Sequence, residues 1–369
     1  MAQLGDLIRA KALLRRAVRA FSPKEAVARA RCVVAEAEIA LVSRDLGWPA
    51  KALDAARVTL EAYGDRVNAA HARYLAARRL LLIGRLDEAA RALAGLDPAP
   101  FPPASRTAHE LVVAGIAIRR LRTKAASVAL VRAEHAAREA RIPALMAEVE
   151  SALLVLNTPA ARLIAKDEER PILLEEVEAL LASNALVVDA CRHVVRHEGA
   201  VISLARRPVL FALARALGEA WPGDLPRDGL VARAFGSRFI DESHRVRLRV
   251  EVGRLRRVLH ALANVRATKR GFALAARRAR QVVVLAWPTD IDEEHAAVLA
   301  FLTDGESWSS SALALAVGAS QRTVQRALDA LAAAGKVQSF GRGRARRWIT
   351  PPVPGFTTTL LLPAPLPID

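Results

Sequence analysis

The chain has 369 residues, 53% of them hydrophobic and 25% charged, so it can form substantial cores and is not a disordered chain. Its length exceeds what one ordinary core organises, which predicts two or three domains. The formal net charge of +17 indicates a polyanionic partner, although a well-solvated, arginine-rich surface would give the same total.

Cysteine usage and apolar runs indicate the compartment. Cys32 and Cys191 are the only cysteines, too few for a disulfide framework or a zinc cluster, and they suit a reducing environment. The N-terminus lacks the apolar core of a secretory signal, and no apolar run is long enough to span a bilayer. We therefore expect a cytoplasmic protein without membrane contact.

The N-terminal half has a helical period. From Leu7 to about Ala182, apolar residues recur at three- and four-residue spacing. The phrase Gly84-Arg85-Leu86 separates predicted helices over 71–83 and 86–96, and related phrases occur near residues 47–52 and 121–125. The alanines chosen to mark this repeat are 37 and 36 residues apart: Ala52, Ala89 and Ala125.

This pattern resembles the tetratricopeptide repeat, in which a glycine-containing turn joins two helices that pack closely. The resemblance implies an α-solenoid of helix hairpins over residues 1–182. Such arrays bind a peptide or protein partner or an effector on a concave surface, or serve only in dimerisation or spacing. Both readings stay open, and no residue here stands out as a ligand contact.

Near residue 183 the pattern changes to short strand-like runs followed by helices. The predicted strands cover 185–189, 193–197 and 200–204, the helices cover 208–219, 227–235 and 242–260, and a hairpin covers 265–275. Asp241 is placed to cap the third of these helices.

That third helix is strongly basic on one side. Residues 245–280 contain twelve basic residues and one acidic residue, Glu251. At about 100° per residue, Leu248, Val252, Leu255 and Leu259 form one narrow apolar stripe, and arginines spread over the opposite side. A helix of this kind suits the major groove of DNA, although a solvated arginine face is the simpler alternative.

The order of sheet, three helices and hairpin resembles the OmpR/PhoB-type winged-helix domain. The resemblance is carried by the phrases 228–231 and 234–236, by Gly253-Arg254-Leu255-Arg256-Arg257, and by Gly271-Phe272 in the hairpin, or wing. It implies that Arg249, Val250 and Arg254 approach base edges, and that Arg247, Gly253 and Arg257 lie near the DNA backbone. The family's usual wing arginine falls on Thr268, so Arg266, Lys269 and Arg270 are the candidates for the wing contact. No receiver-like βα alternation precedes this segment, so phosphorylation by a sensor kinase is not expected.

A second module is predicted at the C-terminal end. Helices are predicted over 293–302, 309–317 and 321–334, and strands over 336–340 and 346–350, with a tip at 341–344. The stretch Leu313 to Val337 resembles the helix-turn-helix of bacterial winged-helix repressors, and Ser320 is placed to cap its last helix. The candidate DNA contacts are Gln321, Arg322, Gln325, Arg326, Arg342 and Arg344. A purely structural or protein-binding role for this module is the alternative.

The sequence lacks a recognisable catalytic constellation. Its eight histidines show no metal-ligand spacing, and neither a Walker-type glycine loop nor a Gly-x-Ser-x-Gly elbow occurs. We therefore expect no enzyme activity, no metal and no cofactor.

The predicted fold is mainly α: a helical-repeat domain (1–182), a winged-helix domain (183–287) and a second winged helix with a proline-rich tail (288–369). The predicted function is that of a bacterial one-component transcription regulator, a homodimer, which binds double-stranded DNA sequence-specifically. One alternative is an interaction scaffold whose winged helices contact protein. Another is a protein that binds nucleic acid without sequence preference.

Overall fold

The computed structural model describes residues 7–46, 48–166, 168–236, 241–288, 293–302, 307–343 and 346–350. The fold is mainly α with a smaller β part, as predicted. Packing divides the chain into two compact units, Met1–Leu156 with Glu294–Asp369, and Asn157–Glu293. These units do not follow the sequence-based divisions after residues 182 and 287.

The first unit begins with a series of helices. They are α1 (Leu7–Ala20), α2 (Ala26–Val42), α3 (Ala50–Ala62), α4 (Arg66–Leu82), α5 (Leu86–Leu93), α6 (Pro103–Arg119), α7 (Thr123–Ala140) and α8 (Pro143–Asn157). Consecutive helices pack on each other, and α4 also contacts both α2 and α6. Their interiors are rich in alanine, which lets helices approach closely.

The turns of this array fall where the sequence repeat predicts them. Helices α3, α5 and α7 begin at Ala50, Leu86 and Thr123. Gly84 supplies a left-handed residue, with φ +77°, in the turn before α5. Two of the three alanine markers lie one residue before the buried position: Ala52 is half-buried and precedes buried Leu53, and Ala125 is exposed and precedes fully buried Ala126. Ala89 is fully buried.

The same unit contains a small C-terminal α/β segment. Its elements are α13 (Glu293–Leu302), α14 (Ser310–Val317), α15 (Gln321–Ala333), β10 (Gln338–Phe340) and β11 (Arg347–Ile349). Trp308 and Trp348 exchange two backbone hydrogen bonds, with N···O distances of 2.9 and 2.8 Å, and both side chains are fully buried. The predicted proline-rich tail, from residue 351 onward, lies outside the described residues.

In its described residues, the second unit combines two sheets and four helices. Its elements are β1 (Ala161–Ala165), β2 (Glu168–Ile172), α9 (Leu174–Ala182), β3 (Ala185–Asp189), β4 (Val194–His197), β5 (Ala200–Ser203), α10 (Pro208–Glu219), β6 (Leu225–Pro226), α11 (Arg227–Phe235), α12 (Glu242–Leu259), β7 (Ala263–Ala267), β8 (Gly271–Ala276) and β9 (Gln281–Ala286). The larger sheet has the order β2-β1-β9-β3-β4-β5, and the smaller has the order β6-β8-β7. One core joins the larger sheet to α10, α11, α12 and the β7–β8 hairpin.

The prediction of helix throughout 7–182 is wrong over β1 and β2. These strands pair antiparallel with each other, and β1 also pairs with β9. Only one end of the pair is deeply buried, at Ala161 and its register partner Ile172, while the first four residues of β2 are exposed. Charged edge strands protect a sheet from further pairing, but they lack the alternation that reveals a strand in the sequence.

The elements predicted after residue 183 are confirmed closely. Strand β3 and helices α10 and α11 have the predicted bounds, and α12 ends one residue early. The hairpin strands β7 and β8 start two residues and one residue, respectively, before their predicted positions. Among the helices that the structure describes, none combines the length and hydrophobicity needed to cross a bilayer.

Candidate nucleic-acid interface

Helix α12 is amphipathic in the way the sequence predicts. Leu248, Val252, Leu255 and Leu259 are at most 1% exposed and belong to the core of the second unit. This burial fixes the rotation of α12 about its axis. Its remaining side therefore faces outward from a rigid base.

The beginning of α12 is set by the predicted cap. The Asp241 carboxylate accepts hydrogen bonds from the Ser243 hydroxyl at 2.7 Å and the His244 backbone N–H at 3.0 Å. These bonds hold the pKa of Asp241 well below its usual range. The carboxylate also faces the positive end of the helix dipole, so it stabilises this terminus while ionised.

The outward line of α12, opposite the buried stripe, is formed by Val246, Val250, Gly253 and Arg257. Both valines are 49% exposed, although the surrounding surface is basic. A Cβ atom added to Gly253 would meet nothing within 4 Å. Val250 was among the DNA contacts predicted from the sequence, but Val246 was not. Val246 could have been found from the sequence, because it lies one turn before Val250 on the same face of the helix.

Three arginines flank this line and interact with neighbours on the surface. Arg249 lies 3.7 Å from Glu242, and the Arg254 guanidinium donates a 2.8 Å hydrogen bond to Glu251. The Arg247 guanidinium lies over the Phe235 ring, 4.4 Å from its centre. Exposed ion pairs contribute only about 0–1 kcal/mol, so Arg249 can leave its acidic neighbour for another anion at little cost.

The β7–β8 hairpin presents the other basic residues predicted for this unit. Arg266, Lys269 and Arg270 are all exposed, and Arg270 lies 3.9 Å from Asp224. Thr268 closes the tip: its N–H donates to the Gly271 carbonyl, and its hydroxyl accepts from the Gly271 N–H, both at 2.9 Å. A Cβ on Gly271 would lie 1.9 Å from the Leu225 carbonyl oxygen, so β6 and β8 can pair this closely only with glycine there.

Two arginines that sequence reasoning did not select hold the hairpin in place. Arg227 donates to the carbonyls of Lys269 and Arg270 at 3.3 and 3.0 Å. Arg256 donates to the Val265 carbonyl at 2.6 Å, which ties α12 directly to β7. Both are positioning residues, because they bind the hairpin backbone. No local sequence pattern marks such long-range bonds.

Helix α15 of the first unit carries four of the DNA contacts predicted for the C-terminal module: Gln321, Arg322, Gln325 and Arg326. It buries Val324, Leu328 and Leu331, and the Ser320 hydroxyl caps it by accepting the Thr323 N–H at 3.1 Å, both as predicted. Gln321, Arg322 and Arg326 are exposed.

The predicted contacts of this module differ in how freely their side chains could reach DNA. Gln321 donates to the Ser310 hydroxyl at 3.1 Å, and half-buried Gln325 donates to Asp329 at 3.0 Å. Arg342 is exposed in the turn after β10, whereas Arg344 lies outside the described residues. Helix α15 therefore offers a smaller and less basic face than α12.

Metal-ligating side chains are scattered in the part of the chain that the structure describes. There, no three histidine, cysteine, aspartate or glutamate side chains come together as a metal site. Compared with known proteins, the chain matches no family model, no curated protein and no solved structure.

Proposed function

We propose that this protein is a sequence-specific, double-stranded DNA-binding transcription regulator and that α12 is its main reading helix. The observation that carries the proposal is the outward face of α12, where exposed valines, a glycine and arginines lie opposite a fully buried stripe. In this proposal the second unit is a winged-helix domain with the β7–β8 hairpin as its wing. The helices before residue 157 are a tetratricopeptide-like array.

The composition of this face suits the major groove better than a generic anionic surface. Arginine can bind guanine through two hydrogen bonds, and an exposed apolar side chain can contact the thymine methyl group. A surface that binds only phosphates requires neither Val246 nor Val250. Their exposure within a basic face therefore supports sequence reading over simple electrostatic attraction.

In this proposal, the residues of α12 have two different roles, set by their positions on the helix. Arg249, Val250 and Arg254 read bases, while Arg247 and Arg257 contact phosphates. The exposed hairpin residues Arg266, Lys269 and Arg270 contact the backbone or the adjacent minor groove. In the first unit, α15 and Arg342 form a second, smaller contact, and the array receives a partner or joins two copies of the chain.

The decisive experiment selects duplexes from a random-sequence pool with the full chain. Affinity for the selected and scrambled duplexes is then measured by fluorescence anisotropy at several salt concentrations. We expect the selected duplex to bind at least about 1,000-fold more tightly than the scrambled duplex, the low end of the range for specific regulators. Equal affinity for both duplexes would identify a non-specific nucleic-acid binder, and no binding at physiological salt would identify a protein-interaction scaffold.

A further inference from the structure

The second unit has a cleft of about 580 Å³ beside the reading face of α12. It lies between the first turn of α10 and the second half of α12. Its size falls within the range of about 300–1,000 Å³ that is usual for small-molecule sites.

The floor of the cleft is apolar. Val209, Leu210 and Val258 line it, and all three pack against the core of the unit. Leu210 belongs to that core, and Val209 and Val258 are partly buried against it, so the fold itself holds the floor in place.

The rim of the cleft is cationic. Arg207, Arg254 and Arg257 line it and are exposed, so their guanidinium groups remain available to a ligand. Glu251 is the acidic residue in the lining, and Arg254 already pairs with it at 2.8 Å. Three positive charges against one negative charge give the rim an excess that attracts anions.

We propose that this cleft binds a small organic anion that has an apolar or aromatic body and one acidic group. The body contacts the floor, and the carboxylate, phosphate or sulfonate group contacts Arg207 and Arg257. Resting on the proposed function, the inference adds that this ligand and DNA compete, because both use Arg257 and the cleft adjoins Arg254, the proposed base contact. The DNA-binding unit then contains its own effector site, separate from the helical array.

The test uses the full chain and the dye 8-anilinonaphthalene-1-sulfonate, an aromatic body with one sulfonate. Dye affinity is measured by fluorescence titration, and folding of each variant is checked by circular dichroism. Arg207→Gln should weaken dye binding at least about fivefold, since one charge-assisted contact is lost. Arg206→Gln is the matched control, because this neighbouring arginine is also exposed but does not line the cleft. N-phenyl-1-naphthylamine, which has the same aromatic body without the sulfonate, should bind more weakly than the dye.

Unchanged dye affinity in Arg207→Gln, or equal affinity for the neutral analogue, would overturn the site. If Arg207→Gln fails to fold, Arg257→Gln replaces it with the same expectation for the dye. A selected duplex should displace the dye, while Arg207→Gln leaves duplex affinity unchanged. A chain that binds the dye through Arg207 but binds no duplex would keep the site and reject the proposed function. A chain that binds duplex and dye together would reject the competition.

Discussion

The Arg119 guanidinium lies over the Phe301 ring, 5.7 Å from its centre, and so joins the end of α6 to the last turn of α13. Arg44, which follows α2, makes the same kind of contact with Trp308 at 5.4 Å. Partial desolvation lowers the pKa of Arg119 below its ordinary value, although the residue keeps an exposed side. The C-terminal segment therefore contacts the C-terminal ends of two helices, α2 and α6.

Replacing both arginines by alanine should loosen this segment while the array stays folded. Each cation–π contact contributes about 0.5–2 kcal/mol, so amide hydrogen exchange in α13 and at Trp308 should accelerate by at least about tenfold. Hydrogen exchange with mass spectrometry measures the effect. Arg122→Ala, a change at an exposed arginine near the same helix end, is the control. Unchanged exchange in α13 would show that other contacts hold the segment.

Helix and strand positions after residue 183 were predictable because local signals agree there. The apolar stripe of α12, its Asp241 cap and the Gly271 hairpin all specify the same elements. The pairing of β1 with β9 was not predictable, since it joins segments more than 100 residues apart in the chain and leaves mostly polar residues on β2. The bonds of Arg227 and Arg256 to hairpin carbonyls were missed for the same reason: only the folded chain brings those atoms together.

The stability of the array should fall in mild acid because of His109. This ring packs edge-on against Tyr74, with centres 5.6 Å apart, and both residues are buried. The cost of burial lowers the pKa of His109, despite the opposing effect of Glu110. The unfolded chain therefore takes up this proton first, near its ordinary pKa of about 6.5, and stability decreases as pH falls below that value.

Urea denaturation at pH 7.5 and 5.5 tests this expectation. His109→Phe keeps the ring contact and removes the titration, so its free energy of unfolding should change less between the two pH values. Because one proton is involved, the pH dependence of the free energy of unfolding can differ between the variant and the unmodified protein by at most about 1.4 kcal/mol per pH unit. An identical pH dependence in both proteins would show that His109 does not contribute.

Arg254 and Arg257 should behave differently when each is replaced by alanine. Arg254→Ala should weaken the free energy of binding to the selected duplex by about 1–3 kcal/mol and relax the sequence preference at one base pair. Arg257→Ala should weaken binding to the selected and scrambled duplexes alike. It should also reduce by about one the slope of the logarithm of the binding constant against the logarithm of the salt concentration. Anisotropy with single-base variants of the duplex separates these outcomes. If both changes reduced affinity without altering preference, the base-reading role of Arg254 would be wrong.

Arg326→Ala tests whether α15 contributes a separate contact. Its side chain is exposed on the first unit, whereas Arg254 is exposed on the second. We therefore expect Arg326→Ala and Arg254→Ala to remove protection from different segments of the same footprint. Hydroxyl-radical footprinting on the selected duplex measures this directly. A footprint unchanged by Arg326→Ala would make α15 a protein-binding or packing element.

Gly253→Ala should make the protein more stable and a weaker DNA binder. Glycine inside a helix is destabilising by about 0.5–1 kcal/mol relative to alanine, and a Cβ here meets nothing within 4 Å, so the substitution should recover about that amount. The added methyl group would project from the outward line of α12, where the proposed function requires a small residue so that the helix can approach the DNA backbone closely.

Thermal or urea denaturation and anisotropy together measure both consequences of Gly253→Ala. Gly229→Ala in α11 is the control, because its new Cβ would make ordinary contact with Leu225 at 3.7 Å and would not alter α12. Higher stability with unchanged affinity would mean that residue 253 does not approach DNA. Higher stability with lower affinity would locate the closest approach on this face, since a loss of folding could not then explain the loss of binding.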